Sequence, residues 1–111
     1  MEGEARAGDT HWGTFLVEHY WPGVTPAAFD EAAERVRSSA EALARAGEPI
    51  RYLHSTLVPE DESGFCVLEA ASQGLVEEAY ARAGVRFERV VHAVETAARH
   101  GEIALEGGRS S

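Results

Sequence analysis

The sequence predicts an α+β sandwich, with two helices on one face of a four-stranded antiparallel sheet in the order βαββαβ. Three observations carry this expectation. Strand-like and helix-like segments alternate along the chain, and each helical stripe is closed by a glycine. Two apolar runs flank a short acidic turn at its centre.

The first strand is residues 13–21, "GTFLVEHYW", β-branched and aromatic and stopped by Pro22-Gly23. Thr25 before Pro26 supplies an N-cap and a first-turn proline. From there Phe29, Ala33, Val36, Ala40 and Leu43 recur at helical spacing until Gly47. Residues 49–58, "PIRYLHSTLV", and 64–71, "GFCVLEAA", read as hairpin strands around the turn "PEDESG". Ser72 caps a second helix with the stripe Leu75, Val76, Ala79, Tyr80 and Ala83, closed by Gly84. A fourth strand is expected over residues 85–96, with 97–100 able to continue as a helical turn.

This order is that of the ferredoxin-like split βαβ sandwich, which leaves one sheet face without helices of its own. The domain is expected over residues 13–96, between disordered extensions at 1–12 and, in part, 97–111. An uncovered apolar sheet face favours face-to-face pairing of two copies into a dimeric α+β barrel.

At 111 residues the chain supports one modest core. Its net charge of −9, from 19 acids and 10 bases, repels a phosphate backbone and argues against nucleic acid as a partner. All ten bases are arginine, a usage that suggests a high-GC bacterial genome. The single cysteine, Cys66, cannot form an internal disulfide and suits a reducing compartment. The first residues lack the basic and apolar regions of a signal peptide, and no apolar run approaches the ~20 residues a membrane span needs. A cytoplasmic location, with no membrane partner, is the expectation.

Alternation sorts side chains by face. A hairpin turn centred on Asp61 and Glu62 sets Val58 opposite Phe65, Thr56 opposite Val67 and His54 opposite Glu69. Leu53, Leu57, Cys66, Leu68 and Ala70 then pack under the helices, with Phe15, Val17 and His19 of the first strand. The open face receives Glu18, Tyr52, His54 and Glu69 among Leu16, Tyr20, Ile50, Phe65 and Val67, and either Arg89 or His92 from the fourth strand. A one-residue slip in register would separate His54 from Glu69.

The segments "FLVEHYWPG", "RYLHSTLVPEDESGFCVLEA" and "AGVRFERVVHAVE" resemble those of a small bacterial ferredoxin-like family, once a domain of unknown function, that includes a nickel-responsive, nickel-binding protein. The resemblance spans roughly residues 14–95. It implies the fold, a homodimer and an affinity for nickel or another divalent metal. Glu18, His54, Glu60, Asp61, Glu62, Cys66 and Glu69 match the family pattern without assigned ligand roles.

Three readings of His54, Glu18 and Glu69 follow. Imidazole and carboxylates suit nickel or a related divalent ion, and a metal-binding homodimer that sequesters or responds to nickel is the first expectation. A neutral histidine beside carboxylates can also move a proton. The alternative is therefore a barrel enzyme of isomerase or cyclase type acting on a small apolar molecule, with Leu16, Tyr20, Tyr52 and Phe65 lining the pocket. The third reading is a polar cluster satisfied within a dimer interface. Glu60, Asp61 and Glu62 read as a cation-binding turn or a solvated hairpin tip. Cys66 reads as a soft ligand or a buried inert thiol. His11, His19, His92 and His100 show no ligand spacing and read as scattered surface histidines.

Overall fold

The structure, a computed structural model, describes residues 11–94 and 96. Strand β1 is Gly13–Tyr20, helix α1 Pro26–Arg45, β2 Ile50–Val58, β3 Ser63–Ala70, helix α2 Gln73–Ala83 and β4 Arg89–Ala93. The sheet order is β2-β3-β1-β4, antiparallel throughout, so the order βαββαβ is observed with β1 and β3 at the centre. No helix among the described residues is long and apolar enough to cross a membrane. Apart from His11 and Trp12, the expected terminal extensions lie outside the described residues, as do His100 and the expected turn at 97–100.

Local chemistry starts and stops both helices. Thr25 Oγ1 accepts from the Ala28 amide at 3.1 Å with Pro26 in the first turn, and Ser72 Oγ accepts from Leu75 at 3.3 Å. Gly84 closes α2 at φ +70, where a side chain would be strained. The α1 stripe of Phe29, Ala33, Val36, Ala40 and Leu43 is buried, joined by Ala32. It packs with Val76, Ala79 and Tyr80 of α2 over Phe15, Val17, Cys66, Leu68 and Ala70. Gly64 lets Phe29 lie on the β3 backbone, since a Cβ there would meet the Phe29 ring at 2.3 Å.

Three details differ from expectation. The hairpin closes through a short 3-10 turn, Pro59–Asp61, with Glu62 in the left-handed region at φ 52. Val58 therefore pairs with Ser63, two residues earlier than a turn centred on Asp61 and Glu62 requires. Second, an irregularity between Tyr52 and His54 makes Leu53 an extra residue in β2. One extra residue reverses the facing of everything before it. Ile50 and Tyr52, expected on the open face, thus pair with Ala70 and Leu68 on the helix side, while Arg51 turns outward. Third, β4 is shorter than expected. Residues 85–88 form a connector outside the ladder, its end tied by the Glu88 amide to the Glu18 carbonyl at 2.7 Å.

Candidate functional site

On the open face, β1 presents Leu16 and Glu18, β3 presents Phe65, Val67 and Glu69, β2 presents Arg51, His54 and Thr56, and β4 presents Arg89 and Val91. His54 and Glu69 share this face, but they are not opposite each other. His54 pairs with Val67, and the cross-strand partner of Glu69 is Arg51. The Arg51 guanidinium donates to Glu69 Oε1 at 2.7 and 3.2 Å. Glu18 lies opposite Arg89, whose Nε and Nη2 donate to its two oxygens at 2.9 and 3.0 Å. That fork of hydrogen bonds holds the Glu18 carboxyl below the usual carboxylate range. The choice on β4 is settled for Arg89, because His92 pairs with Phe15 and stacks edge-on against it at 5.5 Å.

Both carboxylates expected to bind metal are therefore engaged by arginine, and His54 stands exposed. Among the described residues no group of three or more His, Cys, Asp or Glu could hold a metal ion. The described residues of one chain do not by themselves present a nickel donor set. Nor do the four residues expected to line an open-face pocket converge on one cavity. Leu16 and Phe65 are half-buried on the open face, but Tyr20 and Tyr52 line cavities bordering the helix layer.

The acidic turn has a structural use at one position. Glu62 Oε2 accepts from the Gly23 amide at 2.9 Å and its carbonyl accepts from Trp21 at 2.8 Å, tying the hairpin tip to the β1–α1 turn. Glu60 and Asp61 are exposed.

Under the helices lies a polar string that the sequence reading did not assemble. His19, which alternation places under the helices, is only 7 % exposed, so the second reading of it as a scattered surface histidine fails. Its Nδ1 lies 3.1 Å from the Arg86 carbonyl and its Nε2 2.9 Å from the Tyr80 hydroxyl. A carbonyl only accepts, so Nδ1 carries the hydrogen and the bare Nε2 accepts from Tyr80. Burial pushes the His19 pKa down, against the Arg86 carbonyl and the Glu88 charge, which push it up. The Tyr80 hydroxyl lies against the Cys66 thiol, Ser55 donates to Cys66 Sγ at 2.9 Å, and Tyr52 donates to Ser55. Burial raises the pKa of Tyr80, Cys66 and Tyr52 alike, so every member is neutral near pH 7 and the thiol is unreactive. A signal was available. His19 alternates with Phe15 and Val17 on the core side of β1, where an imidazole requires partners, and Tyr80 offers the hydroxyl in the α2 stripe.

Beside His19 a cavity of about 540 Å3 lies between the end of β1, α1 and the α2–β4 connector. A second, of about 600 Å3, lies between α1 and the start of β2, near Trp12 and Tyr52.

Comparison with known proteins places these features in a family. The profile of the nickel responsive protein SCO4226-like family matches residues 15–93, most of the chain. The chain belongs to the SCO4226-like family. The crystal structure of SCO4226 from Streptomyces coelicolor A3(2) has the same fold, with a TM-score of 0.61, 18% identity, and coverage of 76% of this chain and 99% of that one. No curated protein matches the chain. Membership in the SCO4226-like family agrees with the resemblance read from the hairpin and first-strand segments.

Proposed function

We propose that this protein is a cytoplasmic homodimer, closed through the open face of its sheet, that binds nickel or a related divalent ion between the two copies. The supporting observation is the composition of that face. Leu16, Phe65 and Val91 are half-buried with no helix of the described residues over them, and a ring of polar groups surrounds them: Glu18 with Arg89, Arg51 with Glu69, and His54. An apolar centre inside a charged rim is the anatomy of a protein interface. The rim pairs also favour one orientation of a second copy, because a wrong register sets like charges together.

The family name supports nickel as the ion. Among the described residues a single chain offers an exposed His54 and carboxylates already held by arginine, and in this reading a second copy supplies further donors. The net charge of −9 favours a cation over a nucleic acid as ligand.

Size measurement in solution and nickel titration of tag-free protein test the two halves of this reading separately. A dimer at micromolar concentration that binds nickel, and loses that binding on His54→Ala while remaining dimeric, is the expected result. A stable monomer overturns the interface. Unchanged nickel binding in a dimeric His54→Ala variant overturns the metal assignment and leaves the interface standing.

A further inference from the structure

We propose that the cavity beside His19 binds a small, flat, uncharged aromatic molecule of two or three rings. This site is on the helix layer, opposite the proposed dimer face, so it stands independently of the nickel reading. Its volume of about 540 Å3 falls within the roughly 300–1,000 Å3 usual for small-molecule sites.

The chemistry of the walls selects the ligand class. Trp21, Ala28, Ala32, Val85 and Phe87 give an apolar lining. Charge is balanced around it, with Glu31 and Glu88 against Arg35 and Arg86. Arg35 is also occupied, donating through Nε and Nη2 to the Ala83 and Gly84 carbonyls at 3.2 and 3.4 Å. A guanidinium spent on the end of a helix is a poor receptor for an anion. His19, buried at the wall, has both ring nitrogens engaged, so the site contains no unpaired buried charge that a ligand would have to neutralise.

Aromatic preference comes from the packing behind the wall. His19 meets Phe29 edge-on at 6.0 Å, and Phe87 meets Tyr80 edge-on at 5.2 Å. A ring entering between Trp21 and Phe87 extends that edge-to-face arrangement. Trp21 and Tyr20, 37 % and 56 % exposed, leave aromatic surface at the mouth. The hydrogen bond from the Trp21 amide to the Glu62 carbonyl holds that mouth in place without a ligand.

The test is a fluorescence titration of the full chain with N-phenyl-1-naphthylamine, an uncharged aromatic probe, alongside the anionic 8-anilinonaphthalene-1-sulfonate. Expected is saturable binding at one neutral probe per chain, with the anion weaker by roughly tenfold or more. Ala28→Trp, which fills the mouth, should weaken the neutral probe by about tenfold or more, whereas Ala44→Trp at the second cavity should leave it unchanged. Non-saturable binding, equal or tighter binding of the anion, or an Ala28→Trp variant that binds like the parent overturns the proposal. Should Ala28→Trp fail to fold, amide chemical shifts of the unaltered protein decide: changes at Trp21, Val85 and Phe87 support the site, and changes confined to the open sheet face or absent altogether overturn it.

Discussion

Under the helices, Tyr52, Ser55, Cys66, Tyr80 and His19 satisfy one another as neutral groups in a line, whereas the open face carries Glu18 with Arg89 and Arg51 with Glu69 as full charges in cross-strand pairs. The same sheet thus solves polar burial in two ways. Where water is excluded, a charge costs too much, and hydroxyl, thiol and imidazole share hydrogen bonds instead. Where water reaches, arginine and carboxylate keep their charge and are held weakly. The consequence is a division of labour: the helix side carries stability, and the open side is free to carry recognition.

The largest effect expected from breaking this contrast is on the helix side. Gly64→Ala drives a methyl group into the buried Phe29 ring, and overpacking of that kind should cost about 3 kcal/mol in urea denaturation. Next comes His19→Leu. It keeps the volume but leaves the Tyr80 hydroxyl without its acceptor in a dry core, for a loss of about 2 kcal/mol. Tyr80→Phe in the same background should restore part of that loss, since it removes the orphaned hydroxyl. A double-mutant cycle reads the coupling directly, and full additivity would dissolve the idea of a connected string.

How far the sequence revealed these two faces depends on the strand. In β1, plain alternation sorts Phe15, Val17 and His19 from Leu16 and Glu18, and the structure keeps that sorting. In α1 and α2 the helical spacing marks the buried residues, because burial there follows a fixed geometric period. In β2 alternation holds only from His54 onward. The extra residue at Leu53 has no glycine or proline to announce it, and it moved Tyr52 to the core and brought Arg51 out to Glu69. The hairpin register failed for a related reason. "PEDESG" fits more than one turn, and the left-handed Glu62 that sets the observed one is a conformation the residue type does not advertise. The turn alone moves His54 from Glu69 to Val67, and the extra residue then gives Glu69 Arg51 as its partner.

A pH titration sharpens the contrast further. Burial depresses the folded-state pKa of His19 below its ordinary 6.5, so the unfolded chain takes up a proton the folded chain refuses. Stability from this group is therefore fully present above about pH 6.5 and declines as pH falls below that value. His19→Leu should flatten this limb of the stability profile. A profile unchanged between pH 7 and 5 in the parent would place His19 in contact with water.

The smallest expected effect belongs to the open face. Arg89 depresses the folded-state pKa of Glu18 through a bidentate hydrogen bond, so the stability from this pair is present above the unfolded carboxyl value near 4.5 and is lost as pH falls through the lower folded value. Its window lies about two pH units below that of His19, and the two limbs can be read in one titration. Glu18→Gln should reduce only the lower limb, and slightly, because both partners are open to solvent in one chain. If two copies close over this face, the pair loses water, and the same substitution should weaken dimerisation far more than it weakens the single chain. Comparing the variant's denaturation at low and high protein concentration separates the two outcomes: a concentration-independent loss leaves the open face to solvent, and a loss confined to the dimer places Glu18 and Arg89 in the contact.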